Sequence, residues 1–141
     1  MAALTFASGS ARARSTVSAY EPGVCNIGPA EIARRRGAGH AGALLTLGLL
    51  ALLVAIDAPS LARLLVIIPA TVSASGYLQA RLKFCAGLGS RGLFNFGPLG
   101  AATSVTDPEA LERDRRRSRE IGIMAFAIGT VVAIVAVLLP V

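Results

Sequence analysis

Residues 37–57 read "GAGHAGALLTLGLLALLVAID", and no formal charge interrupts the run before Asp57. About twenty helical residues cross a bilayer core of about 30 Å. A fully buried helix of a water-soluble core is the competing reading. It loses ground because two similar runs follow. Residues 64–80, "LLVIIPATVSASGYLQA", lie between Arg63 and the pair Arg81 and Lys83. Residues 121–141, "IGIMAFAIGTVVAIVAVLLPV", carry no charged side chain. Length decides for helix in all three, although Val and Ile would favour strands in water. The expected fold is an all-α integral membrane protein with three transmembrane helices.

Composition agrees. Hydrophobic residues make up 54% of the 141 residues and charged residues 16%, against about 25% charged in an average soluble domain. The net charge of +6 points to a membrane surface, because the basic residues flank the apolar runs. Aromatics are 5% and Trp is absent, which argues against stacking platforms for single-stranded nucleic acid. The expected partners are anionic headgroups and other membrane subunits or further copies of the chain, with no nucleic acid.

The first two runs are joined by "DAPS", residues 57–60. Pro59 suits a turn, and Ser60 suits the N-cap of a helix opening at Leu61. So short a link predicts a helical hairpin. Pro69 falls inside the second run, where a kink is tolerated if neighbours satisfy the freed carbonyl. The third helix is expected to start before the bilayer. Thr106 with Glu109 forms one possible capping box, and Asp107 with Pro108 at the first helical position forms another.

Charge sets the expected orientation. Five arginines precede the first run: Arg12, Arg14, Arg34, Arg35 and Arg36. Eight basic residues lie between the second and third runs, and only Arg63 belongs to the other side. The positive-inside rule places the N-terminus inside and the C-terminus outside, with Arg63 snorkelling outward. The parts then read as a disordered or targeting-like tail (1–22), an amphipathic juxtamembrane segment (23–36), a transmembrane hairpin (37–81), a Gly-rich cytoplasmic or re-entrant loop (82–106), and a basic approach with the third span (107–141). Arg34, Arg35, Arg36, Arg113, Arg115, Arg116, Arg117 and Arg119 are candidate contacts for lipid phosphate.

Small residues predict close helix packing. Gly122, Ala125 and Gly129 form the expected smooth stripe on the third helix. No Asp, Glu, Lys or Arg falls at mid-depth of a span, which argues against a proton relay or ion-coupled transport.

Two segments echo one another. Residues 23–29 read "GVCNIGP" and residues 92–98 read "GLFNFGP". Asn26, Gly28 and Pro29, and Asn95, Gly97 and Pro98, suit turns in which Asn bonds to nearby backbone before a helix start, and Pro29 suits the first helical position. The two are expected to be equivalent loops that pack together under the bilayer. Cys25 and Cys85 lie near them on the same expected side. A reducing compartment disfavours a disulfide. The pair is the one candidate for soft-metal or persulfide chemistry, with Arg34–Arg36 and Lys83 favouring thiolate. No cofactor is expected. His40 as a haem ligand would need Met124, Cys25 or another chain as its second ligand.

The stretch from "CNIGPAEIARRRGAGHAGALLTLGLLALL" through a second helix to "KFCAGLGSRGLFNFG" resembles a family of small two-helix bacterial inner-membrane proteins, some fused to rhodanese domains. The matching residues are Asn26, Gly28, Arg35, Cys85 and Gly89, within residues 25–97. The third helix lies outside the resemblance. The likeness implies membrane topology and a bacterial inner membrane, ahead of an organellar one; it implies no activity. The functional expectation is a non-enzymatic small membrane subunit or accessory protein, in a larger complex or a homo-oligomer. The alternative is a thiol relay or soft-metal handler using Cys25 and Cys85.

Overall fold

The computed structural model describes residues 19–140; residues 1–18 of the expected tail, and Val141, lie outside them. Helix α1 spans Pro29–Ala55. Pro29 occupies the first turn, where its missing N–H costs no helical bond. From Pro29 onward the amphipathic segment therefore runs without a break into the first apolar run, while residues 23–28 stay outside the helix.

The return differs from the expectation. Residues Ser60–Val66 form a 3-10 helix, and α2 follows as Ile67–Leu82. Pro59, not Ser60, is the N-cap, and no side chain caps this end. Pro69 lies in the first turn of α2. It has no N–H to bond the carbonyl four residues back, so the helix meets it at a change of winding instead of a mid-span kink.

The segment 82–106 is more than a loop. It holds the short helix α3 (Ala86–Ser90) and an antiparallel pair, β1 (Leu93–Phe94) with β2 (Thr103–Ser104). Helix α4 then runs over Pro108–Leu138, about 46 Å at 1.5 Å per residue. Of the two caps offered by the sequence, Asp107 is used. Its carboxylate accepts from the N–H groups of Glu109 at 3.3 Å and Ala110 at 3.2 Å.

α2 is the central helix: it packs on α1 and on α4, while α1 and α4 scarcely touch. Glycines allow the approach. A Cβ at Gly42 would lie 2.6 Å from the Ser73 nitrogen, and one at Gly76 would lie 2.5 Å from the Gly39 nitrogen. On the other side of α2, Gly129 of α4 admits Thr71. Small residues thus replace apolar bulk at the interface, as expected where lipid supplies no hydrophobic drive between helices.

The face of α4 turned inward carries Ala110, Asp114, Ser118, Ile121, Ala125, Gly129, Ala133 and Ala136. Gly122 is not part of it. It is exposed, and a Cβ there would meet nothing. The buried positions recur mostly every four residues, so the seam drifts around the helix and does not hold both glycines of a seven-residue pair.

Arg63 also departs from expectation. It is 5% exposed and its Nη1 donates to the carbonyls of Leu139 at 2.9 Å and Ala136 at 3.4 Å. A cation at these carbonyls opposes the negative end of the α4 dipole. Val66, Ala133 and Ala136 form a buried apolar cluster at this end, with Leu49, Leu50 and Ile67 packed against it.

The outer faces remain apolar. Leu44, Leu45, Ile68, Ile123 and Phe126 are each more than half exposed. Three helical stretches, Pro29–Ala55, Ser60–Leu82 and Pro108–Leu138, are long and apolar enough to cross a membrane, and only 22–28% of each apolar window is buried. So much exposed apolar surface suits lipid, not water.

The packing separates two kinds of glycine. Gly76→Ala should destabilise the fold by about 1–3 kcal/mol, because backbone would have to move to admit the methyl group. Gly48→Ala meets open space and should instead gain about 1 kcal/mol of helix propensity. Unfolding of both variants in mild detergent checks the opposite signs.

Candidate functional site

The two echoing segments meet at the basic end of the bundle. Ile27 and Asn95 form a parallel bridge. The Gly28 N–H donates to the Asn95 carbonyl at 2.8 Å, and the Asn95 N–H donates to the Asn26 carbonyl at 2.8 Å. A Cβ on Gly28 would lie 2.9 Å from Phe96 Cα, so only glycine permits this contact.

The two asparagines act differently. Asn95 makes the local turn: its Oδ1 accepts from the Gly97 N–H at 2.9 Å, and its Nδ2 donates to the Pro98 carbonyl at 3.1 Å. Asn26 reaches across the chain. Its Oδ1 accepts from the Cys85 N–H at 2.7 Å and its Nδ2 donates to the Cys85 carbonyl at 3.1 Å. It therefore mimics one rung of a β-ladder. Nearby backbone extends the mimicry, since the Asn26 N–H donates to the Lys83 carbonyl at 3.1 Å. Both side chains are buried, so each bond also offsets the desolvation of an amide.

Glu31 joins the knot from the first turn of α1. It is 4% exposed, accepts from Asn95 Nδ2 at 3.4 Å, and lies 3.8 Å from Arg34 and 3.7 Å from Arg35. The α3 turn is held by Gln79, whose Oε1 accepts from the Ala86 N–H at 3.0 Å. Gly89 lets α3 close on α4. A Cβ there would sit 2.6 Å from both the Phe84 ring and Ser118 Oγ.

Asp114 ties the N-terminal segment to α4. It is fully buried amid the arginine run. Tyr20 Oη donates to Oδ2 at 2.7 Å, and the Gly23 N–H donates to Oδ1 at 2.7 Å. Tyr20 stacks on Phe94 at 4.7 Å between centroids. Burial, then the hydrogen bond to Asp114 and its negative charge, push the Tyr20 phenol well above its ordinary value. Sequence reading missed Asp114 because only the basic residues around it were weighed. Its spacing of four from Ala110 and from Ser118 was the available signal.

The cysteines sit in this knot with separate tasks. Cys85 is fully buried, and its sulfur accepts from the Leu88 N–H at 3.4 Å as the N-cap of α3. Cys25 is half-buried, with its thiol 3.9 Å from the Ile27 carbonyl. Both are free thiols. Among the described residues, no group of three or more His, Cys, Asp or Glu is placed to hold a metal ion. His40 stands apart on α1. Its Nδ1 shares a hydrogen bond with Tyr77 Oη at 2.6 Å.

The arginines divide. Arg113 pairs with Glu109, Arg116 and Arg117 with Glu120, and Arg119 with Glu112. Such exposed pairs are worth about 0–1 kcal/mol each, so they trim the field without removing it. Arg36 and Arg115, like Arg81, are exposed and have no ion-pair partner among the described residues.

Compared with known proteins, the chain finds no match among family models, curated proteins or solved structures.

Two measurements check the knot. Maleimide labelling followed by mass analysis should modify Cys25 in the folded chain and Cys85 only after unfolding; equal rates would contradict the burial of Cys85. In a Tyr77→Phe background, Tyr20 is the remaining tyrosine of the two in the chain. Ultraviolet titration should find it ionising above the usual range, and Asp114→Asn should bring that ionisation down without restoring the ordinary value, because burial persists. The contribution of this contact to stability is complete below about pH 10 and is lost as pH rises through the elevated Tyr20 value.

Proposed function

We propose that the chain is a non-enzymatic integral membrane subunit. It stands with its N-terminus and basic knot in the cytoplasm and its C-terminus outside, in a bacterial inner membrane. It works by packing against other membrane subunits or further copies of itself. The buried polar residues at the basic end support this reading by what they bond. Asn26, Asn95, Glu31, Gln79 and Cys85 direct their hydrogen bonds to backbone, to one another or, for Gln79, to Ser75 of its own helix, so their chemistry goes into holding the chain.

One observation carries the packing role. A glycine inside a helix costs about 1 kcal/mol relative to alanine. Gly39, Gly42, Gly76 and Gly129 offset that cost through close contacts within the chain. Gly48 on α1 and Gly122 on α4 make no such contact and are exposed at membrane-facing positions. Their role is to admit a neighbouring helix from outside. Gly122 keeps its expected place in partner packing, while Ala125 and Gly129 serve the chain's own core.

Gly48→Leu and Gly122→Leu should leave insertion unchanged and reduce co-purification of neighbouring subunits or of tagged second copies. Gly76→Leu, which breaks internal packing, is the control for misfolding. Full recovery of every neighbour with both exposed glycines replaced would remove the support. Reporter fusions check orientation: a C-terminal reporter active only in the cytoplasm would reverse it.

A further inference from the structure

Because α1 and α4 scarcely touch, one face of α2 is left at the bottom of a groove. Its volume is about 340 Å³, and its walls are Ala43 and Leu47 of α1 and Ile128 and Val132 of α4, with Ala70 and Ala74 on the floor. Two hydroxyls also reach it, but neither offers a free donor. Thr46 Oγ1 donates to the Gly42 carbonyl at 2.7 Å and Ser73 Oγ donates to the Gly39 carbonyl at 2.9 Å. The groove is therefore apolar along its length.

Its basic end is different. Tyr77 lines it there and is hydrogen-bonded to His40. On α1, Arg36, His40, Ala43 and Leu47 recur at spacings of four, three and four, so they share a face. On α2, Ala70, Ala74, Tyr77 and Arg81 do the same. The contacts of Gly42 with Ser73 and of Gly39 with Gly76 set the antiparallel register. That register brings Arg36 and Arg81 to similar depth, beyond the His40–Tyr77 pair. Both residues are exposed and lack an ion-pair partner among the described residues.

We infer that this groove binds one phospholipid with an anionic headgroup: an acyl chain lies along Ala43, Ala74 and Val132, and the phosphate lies between Arg36 and Arg81 with His40 and Tyr77 beneath it. The inference rests on the membrane reading. An acyl chain is narrower than a helix, which is about 10–12 Å across, so it can lie within the groove, where a neighbouring helix could only cover it. Charge complementarity selects the headgroup, since two unneutralised guanidiniums at the interface attract anionic lipid. A free phosphate would have no use for the apolar channel.

The test is native mass spectrometry of the full chain, extracted in mild detergent from vesicles of mixed phosphatidylglycerol and phosphatidylcholine. One phosphatidylglycerol per chain should be retained, and inorganic phosphate should not displace it. Arg36→Gln with Arg81→Gln should reduce the preference for the anionic lipid on the order of tenfold. Ala43→Phe, which fills the channel, should reduce retention of both lipids. Because Arg36 and Arg81 are exposed, their variants keep the fold and decide the matter if Ala43→Phe does not fold. Unchanged preference in the arginine double variant overturns the proposal. So does a second copy of the chain, instead of lipid, lost on Ala43→Phe. Release of the chain from vesicles by alkaline carbonate would sink the membrane reading and the groove together. A membrane-retained chain carrying no lipid would sink the groove alone.

Discussion

The contact between Gly39 of α1 and Gly76 of α2 sets the geometry on which the rest depends. With no side chain at either position the two backbones meet, and a Cβ on Gly76 would be 2.5 Å from the Gly39 nitrogen. This contact fixes the register of the hairpin. With that register, the end of α2 arrives level with the start of α1, so Lys83 and Cys85 come within hydrogen-bond reach of Asn26. The same closeness draws α1 to one side of α2 and leaves the far side for α4. A bulkier seam would part the helices and move Cys85 away from its asparagine.

Both ends of the bundle are then tied by polar contacts, and the middle by fit. At the basic end, the buried side chains of Asn26 and Asp114 join segments distant in sequence through bonds of 2.7–3.1 Å. At the other end Arg63 holds the last carbonyls of α4. Between them the contacts are Gly42 with Ser73 and Gly129 with Thr71. This division suits an apolar surround. Unsatisfied polar groups are costly there, so polar contacts gather near the ends, and packing without strong chemistry holds the centre.

Much of this was legible in sequence. The three apolar helices follow from run length, the start of α1 from Pro29, and the start of α4 from Asp107 with Pro108. The meeting of the two Asn-Gly-Pro segments was visible as an echo. What each asparagine does was not. An Asx-turn is local and can be read from neighbours, as at Asn95; a side chain pairing with backbone 59 positions away depends on the hairpin register, which no local pattern encodes. Asp114 escaped for a related reason. A count of basic residues passes over the one carboxylate among them, and its burial depends on which helix face meets the partner. The stripe drawn through Gly122, Ala125 and Gly129 divides on the same point: the seam of α4 follows steps of four more often than sevens, so it takes in Ala125 and Gly129 and leaves Gly122 on the outer face.

Arg63 shows how the two ends constrain one another. A lone basic residue on the outer side weakens a positive-inside signal, and in the proposed orientation it is the exception to that rule. Its guanidinium is turned inward onto carbonyls that end α4 and carry partial negative charge. Those groups would otherwise seek water at the membrane edge. The contact thus satisfies acceptors of one helix with a charge from another, and it does so only if α4 spans the same depth as the α1–α2 hairpin. The length of α4 from Asp107 is therefore not free. Its capped start is fixed at the basic end by Asp114, and its last turn must reach Arg63.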